Sequence, residues 1–204
     1  MIRSVYLLLL LVIMSVSCTP SYLTEEELKK YLMESDNGLR KEVIVNEYKV
    51  RITFRPTDLL IAQELRGTHD STQVARLKQK YGSHYYFVLS LSKNEHEAIQ
   101  AGSMPQSQFS NLLQTISFRM GMYVNMTTPQ RDTIPLTDFI YNRTFSMGAS
   151  NDILLVFNKE KVRDQQWVQI NLAEFGLGLG HQSLKFHCKD LDQIPEINFT
   201  TFNR

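Results

Sequence analysis

From His84 to Ser92 the chain alternates without a break: Tyr85, Phe87, Leu89 and Leu91 share one side, while His84, Tyr86, Val88 and Ser90 share the other. A period of two predicts a β-strand, and apolar residues on both sides place it centrally in a sheet. The period changes between Gln106 and Met120, where Phe109, Leu112, Leu113, Ile116 and Met120 recur at spacings of three and four. That is one stripe of an amphipathic helix, predicted to pack on the sheet. Glu42 to Phe54 returns to period two, with Val50, Ile52 and Phe54 set against Lys49, Arg51 and Thr53, and Asn46-Glu47 supplies a turn. A half-buried hairpin is expected there, with Arg51 and Arg55 on its polar side as a solvated edge or an anion contact.

The flanking segments carry their own signals. Thr24 followed three residues later by Glu27 forms a capping box, so a helix is predicted from Glu25 to about Ser35, with Leu28, Tyr31 and Leu32 inward and Asp36-Asn37-Gly38 ending it. Short helices are expected over Asp58 to Leu65, after Pro56 stops the preceding strand, and over Ser71 to Tyr81. Beyond Met122 β signals dominate: Met122 to Thr128, Thr137 to Phe145, Asp152 to Asn158, Trp167 to Leu172 and Ser183 to Lys189. The fold class is therefore α+β, an antiparallel sheet or small sandwich with helices concentrated in the N-terminal half.

Composition changes this picture little. The chain is 43% hydrophobic and 21% charged, which is globular rather than disordered material. No repeat, low-complexity tract or linker divides it, so residues 24–204 are expected to form one domain. A formal charge of +1, with no basic block, argues against nucleic acid as a partner and against polybasic docking on membranes.

The first residues change the picture most. Arg3 precedes an apolar run from Val5 to Met14, too short for the roughly 20 residues that span a bilayer in a helix, and small residues follow. This is the pattern of a secretory leader. Ser15-Val16-Ser17-Cys18 resembles the lipobox of bacterial lipoproteins, although it opens with Ser where the commonest form has Leu. The resemblance covers the leader alone. It implies cleavage of the leader, acylation of Cys18 and attachment to a membrane. Each buried methylene contributes about 0.8 kcal/mol, so two or three acyl chains hold firmly where one holds marginally. Thr19, where the family's sorting rule looks for Asp, implies the outer membrane, facing the periplasm. Residues 1–18 are then leader and 19–23 a short tether. With Cys18 lipidated, Cys188 has no partner within the chain.

Few residues suggest chemistry. His181, His187 and Cys188 lie close in sequence, but in a strand His187 and Cys188 point to opposite faces and the two histidines stand about 20 Å apart, so no common metal is expected. Leu184, Phe186 and Cys188 instead form an apolar stripe, which makes Cys188 a core residue. His69-Asp70 and Glu95-His96-Glu97 fall in polar, turn-like segments where charge is solvated. Asp190, Asp192 and Glu196 lack the glycine and the spacing of a calcium loop. Ser90-Leu91-Ser92-Lys93 matches the S-x-x-K pattern of penicillin-binding proteins and β-lactamases, but on a strand rather than a helix and without the partner motifs. Tyr86 and Trp167 are expected in the core rather than as sugar platforms. Asp70-Ser71-Thr72 and Asp132-Thr133-Ile134 resemble O-glycosylation acceptors of some envelope bacteria.

Gly176-Leu177-Gly178-Leu179-Gly180 does not fit a dinucleotide fingerprint in spacing or context. If it is extended, Phe175, Leu177 and Leu179 face the core. Gly176, Gly178 and Gly180 then leave a bare side for close packing or for a partner. No catalytic residue, cofactor or metal is assigned. The expected role is a lipid-anchored, non-enzymatic binding or assembly module for envelope proteins or glycans. The alternatives are a hydrolase with a dispersed active site and a purely structural spacer.

Overall fold

The computed structural model describes residues 22–65 and 70–199. The leader, Cys18, the first part of the tether and His69 lie outside the described residues. Tyr22–Leu23, expected as the end of the tether, is a short strand, β1. Thr24 then opens helix α1, Glu25–Met33, by the anticipated box: Thr24 N donates to Glu27 Oε2 at 2.8 Å and Glu27 N to Thr24 Oγ1 at 3.2 Å. Leu28 and Leu32 are buried, and a 3-10 turn over Ser35–Asn37 closes on Gly38 at φ 70.

The hairpin follows as β2, Arg40–Val45, and β3, Tyr48–Phe54, turning at Asn46 with φ 55, a conformation asparagine tolerates better than most residues. Helices α2, Thr57–Leu65, and α3, Ser71–Tyr81, pack on each other; Asp70 caps α3 through Thr72 N at 3.0 Å. Strand β4, His84–Lys93, is central as expected. A two-residue strand β5, His96–Glu97, folds back on its end. Helix α4, Gln106–Phe118, and a 3-10 turn over Met120–Met122 lead to β6, Val124–Thr127, β7, Thr133–Pro135, and β8, Asp138–Tyr141. Strands β9, Asn151–Asn158, β10, Trp167–Leu172, and β11, Gln182–His187, run into helix α5, Cys188–Asp192, and a last short strand β12, Glu196–Ile197.

The strands form an antiparallel sheet in the order β2-β3-β4-β9-β8 and a second antiparallel sheet in the order β11-β10-β6-β7, while β1 pairs in parallel with β12. Aromatic rings join the two sheets: Phe87 of β4 meets Phe54 of β3 at 5.2 Å and Phe186 of β11 at 5.1 Å between centroids. Phe87, Phe157 and Phe186 are fully buried, and the core is continuous through both sheets. The fold is α+β with antiparallel sheets, but its helices are spread along the chain. Helix α4 lies beyond the midpoint and α5 near the C-terminal end, because the stripe of Phe109, Leu112 and Ile116 needs covering as much as the N-terminal ones do. Cys188 is buried as expected, but at the start of α5 rather than within a strand.

Candidate functional site

The structure gathers titratable side chains in a cleft of about 300 Å³ at one end of the larger sheet. Each arrives by a local rule. Pro56 ends β3 and α2 begins at once, placing Asp58 in the first helical turn. The alternation of β4 turns Tyr85 into the cleft, where His84 also reaches. The last turn of α3 contributes Lys78, and the 3-10 turn after β9, Lys159–Val162, contributes Lys159. Helix α5 supplies Asp192 and β12 supplies Glu196. Asp192 and Glu196, rejected in sequence as calcium ligands, are thus brought together here as partners of lysines.

Two ion pairs span the walls, Lys78 Nζ to Glu196 Oε2 at 2.9 Å and Lys159 Nζ to Asp192 Oδ1 at 2.7 Å. Tyr85 donates its hydroxyl to the same Asp192 oxygen at 2.8 Å, and Lys159 lies 4.9 Å from the centre of the Tyr85 ring. Asp58 is the buried member, only 8% exposed. Its Oδ2 accepts from Ile197 N at 2.8 Å, which ties β12 to α2. Burial pushes the Asp58 carboxyl above the usual aspartate range, with Ile197 N and the Lys78 ammonium pulling the other way. Burial also works against the Lys78 ammonium, but its bond to Glu196, with Asp58 adding, outweighs this and leaves its pKa raised. Tyr85 is held protonated by burial and by its bond to Asp192.

A poised nucleophile is missing among the described residues. The Cys188 thiol is pushed up to about 11, by burial first and by Asp192 second, so it is not a thiolate at neutral pH. Ser83 Oγ lies 2.8 Å from His84 Nδ1, but Ser83 is exposed outside the cleft wall, and among the described residues no carboxylate bonds the ring from its other side. Among the described residues no three His, Cys, Asp or Glu side chains are placed to hold a metal ion. His181 and His187 are both exposed, His181 bonded to Ser183 Oγ at 3.1 Å.

The glycine segment is not extended. Gly176, Gly178 and Gly180 all have positive φ (108, 77 and 62), and their N–H groups converge on one carboxylate. Gly176 N and Gly178 N donate to Glu174 Oε1 at 2.6 and 2.9 Å, and Gly180 N donates to Oε2 at 2.6 Å. Phe175, Leu177 and Leu179 are buried, as the alternation required. A side chain added at Gly178 or Gly180 would meet nothing within 4 Å, so these glycines serve backbone conformation rather than close packing. Burial opposes the Glu174 charge, but the ring of N–H donors outweighs it and holds the carboxyl below the ordinary glutamate range.

Glu97, expected to be solvated, is instead buried at 4% exposure, because β5 folds it under the 142–150 loop. Thr144 Oγ1 donates to its Oε1, Gly148 N donates to the same atom at 3.1 Å, and Asn151 Nδ2 donates to Oε2 at 3.1 Å. Asn151 Oδ1 accepts from Ile99 N at 2.8 Å, completing a buried polar knot beside a second cleft of about 400 Å³. Its neighbour Glu95 is exposed and paired with Lys49.

The other expectations place simply. Arg51 bonds Glu42 at 3.1 Å, and Arg55 bonds Gln63 at 2.8 Å. Lys93 stays on β4 and pairs with Glu47 at 2.8 Å, so the S-x-x-K match carries no helical geometry. Tyr86 is buried; Trp167 is half-buried, with Lys185 Nζ 4.1 Å from the ring centre. Eight large apolar side chains are exposed among the described residues, and three of them sit on elements that pack together. Phe118 (77%) ends α4, Met122 (76%) ends the next turn, and Ile140 projects from β8, on elements packed against one another. Phe145 and Met147 (84%) follow in the 142–150 loop, where Arg143 lies 5.9 Å from the Phe109 ring of α4 and 4.6 Å from the Phe145 ring.

No family model matches this chain, and no curated protein matches it in sequence. It is similar to the crystal structure of a novel protein of unknown function from Burkholderia pseudomallei, at 11% identity and a TM-score of 0.42, over 85% of this chain and 94% of that one.

Proposed function

We propose that this protein is a lipid-anchored envelope module, held through Cys18 in the outer membrane with its domain in the periplasm, and that it binds or helps assemble another envelope protein without catalysing a reaction. The observation that carries the reading is the exposed apolar group of Phe118, Met122, Ile140, Phe145 and Met147 on adjoining elements. Exposed apolar patches mark interaction surfaces, and flexible methionines adapt to a partner. A protein suits this surface better than a glycan, because the exposed Phe, Met and Ile side chains offer almost no hydrogen-bonding groups to sugar hydroxyls. No described helix is long and apolar enough to cross a membrane; in this reading the anchor is the acylated Cys18.

The test is capture of partners from detergent-solubilised envelope by the natively anchored protein and by its Phe118→Ser, Met122→Ser double variant. Loss of a specific co-purifying protein with unchanged thermal stability supports the reading, and an identical set of captured proteins rejects that surface. One observation favours a hydrolase as a second reading: a buried carboxyl with a raised pKa, Asp58, lines the charged cleft. A pH–rate profile on envelope substrates that loses its acid limb in Asp58→Asn would establish it, and no turnover above the Asp58→Asn background removes it.

A further inference from the structure

The two sheets present polar faces of different kinds. On the larger one the charges are paired, Lys49 with Glu95, and Arg40 and Arg51 with Glu42. On the smaller one the outward positions of β10 are Trp167, Gln169 and Asn171. Beside them in register stand His187, Lys185 and Ser183 on β11, and Thr127 and Asn125 on β6. The other side of the same strands, with Val168, Ile170, Phe186 and Met126, is core. None of these outward positions carries a carboxylate, and amides and hydroxyls take the place of ion pairs. Asn171 holds the centre. It is 6% exposed, its Nδ2 donates to Asn125 Oδ1 at 2.9 Å and Thr127 Oγ1 at 3.2 Å, and its Oδ1 accepts from Gln169 Nε2 and Ser183 Oγ, both at 2.8 Å. A saturated amide fixes the planes of its neighbours, and each neighbouring amide has its other end left over. Gln169 Oε1 and Asn125 Nδ2 make no hydrogen bond among the described residues, and neither is a buried atom without a partner, so solvent reaches both. Lys185 supplies the charge. Its Nζ lies 4.1 Å from the centre of the Trp167 ring and has no carboxylate partner among the described residues, so the ring holds the ammonium in place without neutralising it. The other ionisable groups are His187 and, at the edge, His181 bonded to Ser183, so every one of them is a base.

We propose that this face binds an acidic polysaccharide, one whose sugars carry carboxylates, with Lys185 meeting a carboxylate while Gln169 Oε1 accepts from, and Asn125 Nδ2 donates to, ring hydroxyls. A sugar hydroxyl both donates and accepts, which suits an acceptor and a donor set side by side. The amides are held before the chain arrives, so little rotamer freedom remains to be lost on binding. From Trp167 to Asn171 the face runs about 13 Å along β10 as an open strip, which fits a chain passing across it rather than a compact ligand. Nucleic acid fits less well. It carries a charge at every link and needs several lysines or arginines with open rings for its bases, whereas the one lysine at these positions already lies over the Trp167 ring. The inference depends neither on the anchor nor on the apolar group of Phe118 and Met122, and it gives the molecule a second surface for a different class of partner.

The experiment titrates full-length protein in maltoside detergent with oligomers of mannuronate and of galacturonate, with a neutral maltose oligomer and with oligothymidylate, reading heat. Saturable binding of at least one uronate oligomer, about tenfold or more tighter than the neutral sugar and the nucleic acid, is expected. Lys185→Gln, at an exposed position, should weaken that binding about tenfold, and Gln169→Ala should weaken it about threefold or more, each with the melting temperature within about 2 °C of wild type. Lys49→Gln on the larger sheet should leave it unchanged, which separates this face from a general attraction of anions. The proposal is overturned by no saturable binding of either uronate, by equal or tighter binding of oligothymidylate or the neutral sugar, by binding unchanged in either Lys185→Gln or Gln169→Ala, or by an equal loss in Lys49→Gln.

Discussion

Replacing Glu174 tests whether the glycine segment folds around that carboxylate. Three N–H donors at 2.6, 2.9 and 2.6 Å end on it. A hydrogen bond to a charged group contributes about 1.5–3 kcal/mol and a neutral one about 1 kcal/mol, but here water replaces the lost acceptor because Glu174 and the glycines are exposed. With water taking over, each bond is counted at about 0.7 kcal/mol, near the low end of the net range of about 0.5–1.5 kcal/mol for an ordinary hydrogen bond, and three give a loss of about 2 kcal/mol for Glu174→Ala. In a domain of this size that corresponds to a fall in Tm of about 4–8 °C. Glu174→Gln keeps one acceptor oxygen and sets an amide donor against Gly180 N, so its loss should fall between wild type and Ala. The sign of the pH dependence follows from the lowered pKa. The folded carboxyl titrates below its unfolded value of 4.5, so its contribution is complete above about that pH and is lost as pH falls through the folded pKa. Thermal denaturation from pH 7 to about pH 3 should therefore show a gap between wild type and Glu174→Gln that closes in acid. A Glu174→Ala variant within 1 °C of wild type at pH 7, using the approximate conversion above, would refute the reasoning.

Gly178→Ala should cost about 1 kcal/mol although the space beside it is open, since φ 77 is strained for any residue with a Cβ; urea denaturation checks this. Asn151→Ala removes an amide that donates to Glu97, Tyr141 and Ile99 O and an acceptor for Ile99 N from a buried knot, and should lower stability by about 2–4 kcal/mol in the same assay. Asp58→Asn should raise stability at neutral pH. The folded carboxyl titrates above its unfolded value, so its ionised form opposes folding, and the advantage should vanish once acid protonates it in wild type. Cys188 should resist iodoacetamide at pH 8 in the folded protein and react once urea unfolds it.

The sequence made the regular parts legible because short-range rules govern them. The Thr24 and Glu27 box, the turn at Asn46 and the alternation through β4 each depend on neighbours a few residues away, and each formed as expected. The site was less legible because long-range pairing builds it. Asp58 meets Ile197, Lys78 meets Glu196 and Tyr85 meets Asp192 across more than a hundred residues, and nothing local marks them. Glu97 misled for the same reason: its segment is polar, but its burial is decided by Thr144, Gly148 and Asn151. Glu174 could have been found in sequence, since three alternating glycines next to a carboxylate leave N–H groups in search of an acceptor.

The most direct test of the proposed anchored module is the mass of the N-terminal peptide of the native protein extracted from membranes. The account predicts a peptide beginning at Cys18 and heavier by a diacylglyceryl group, absent from Cys18→Ala. A peptide retaining residues 1–17, or an unmodified amino terminus on protein recovered from the aqueous fraction, would contradict it.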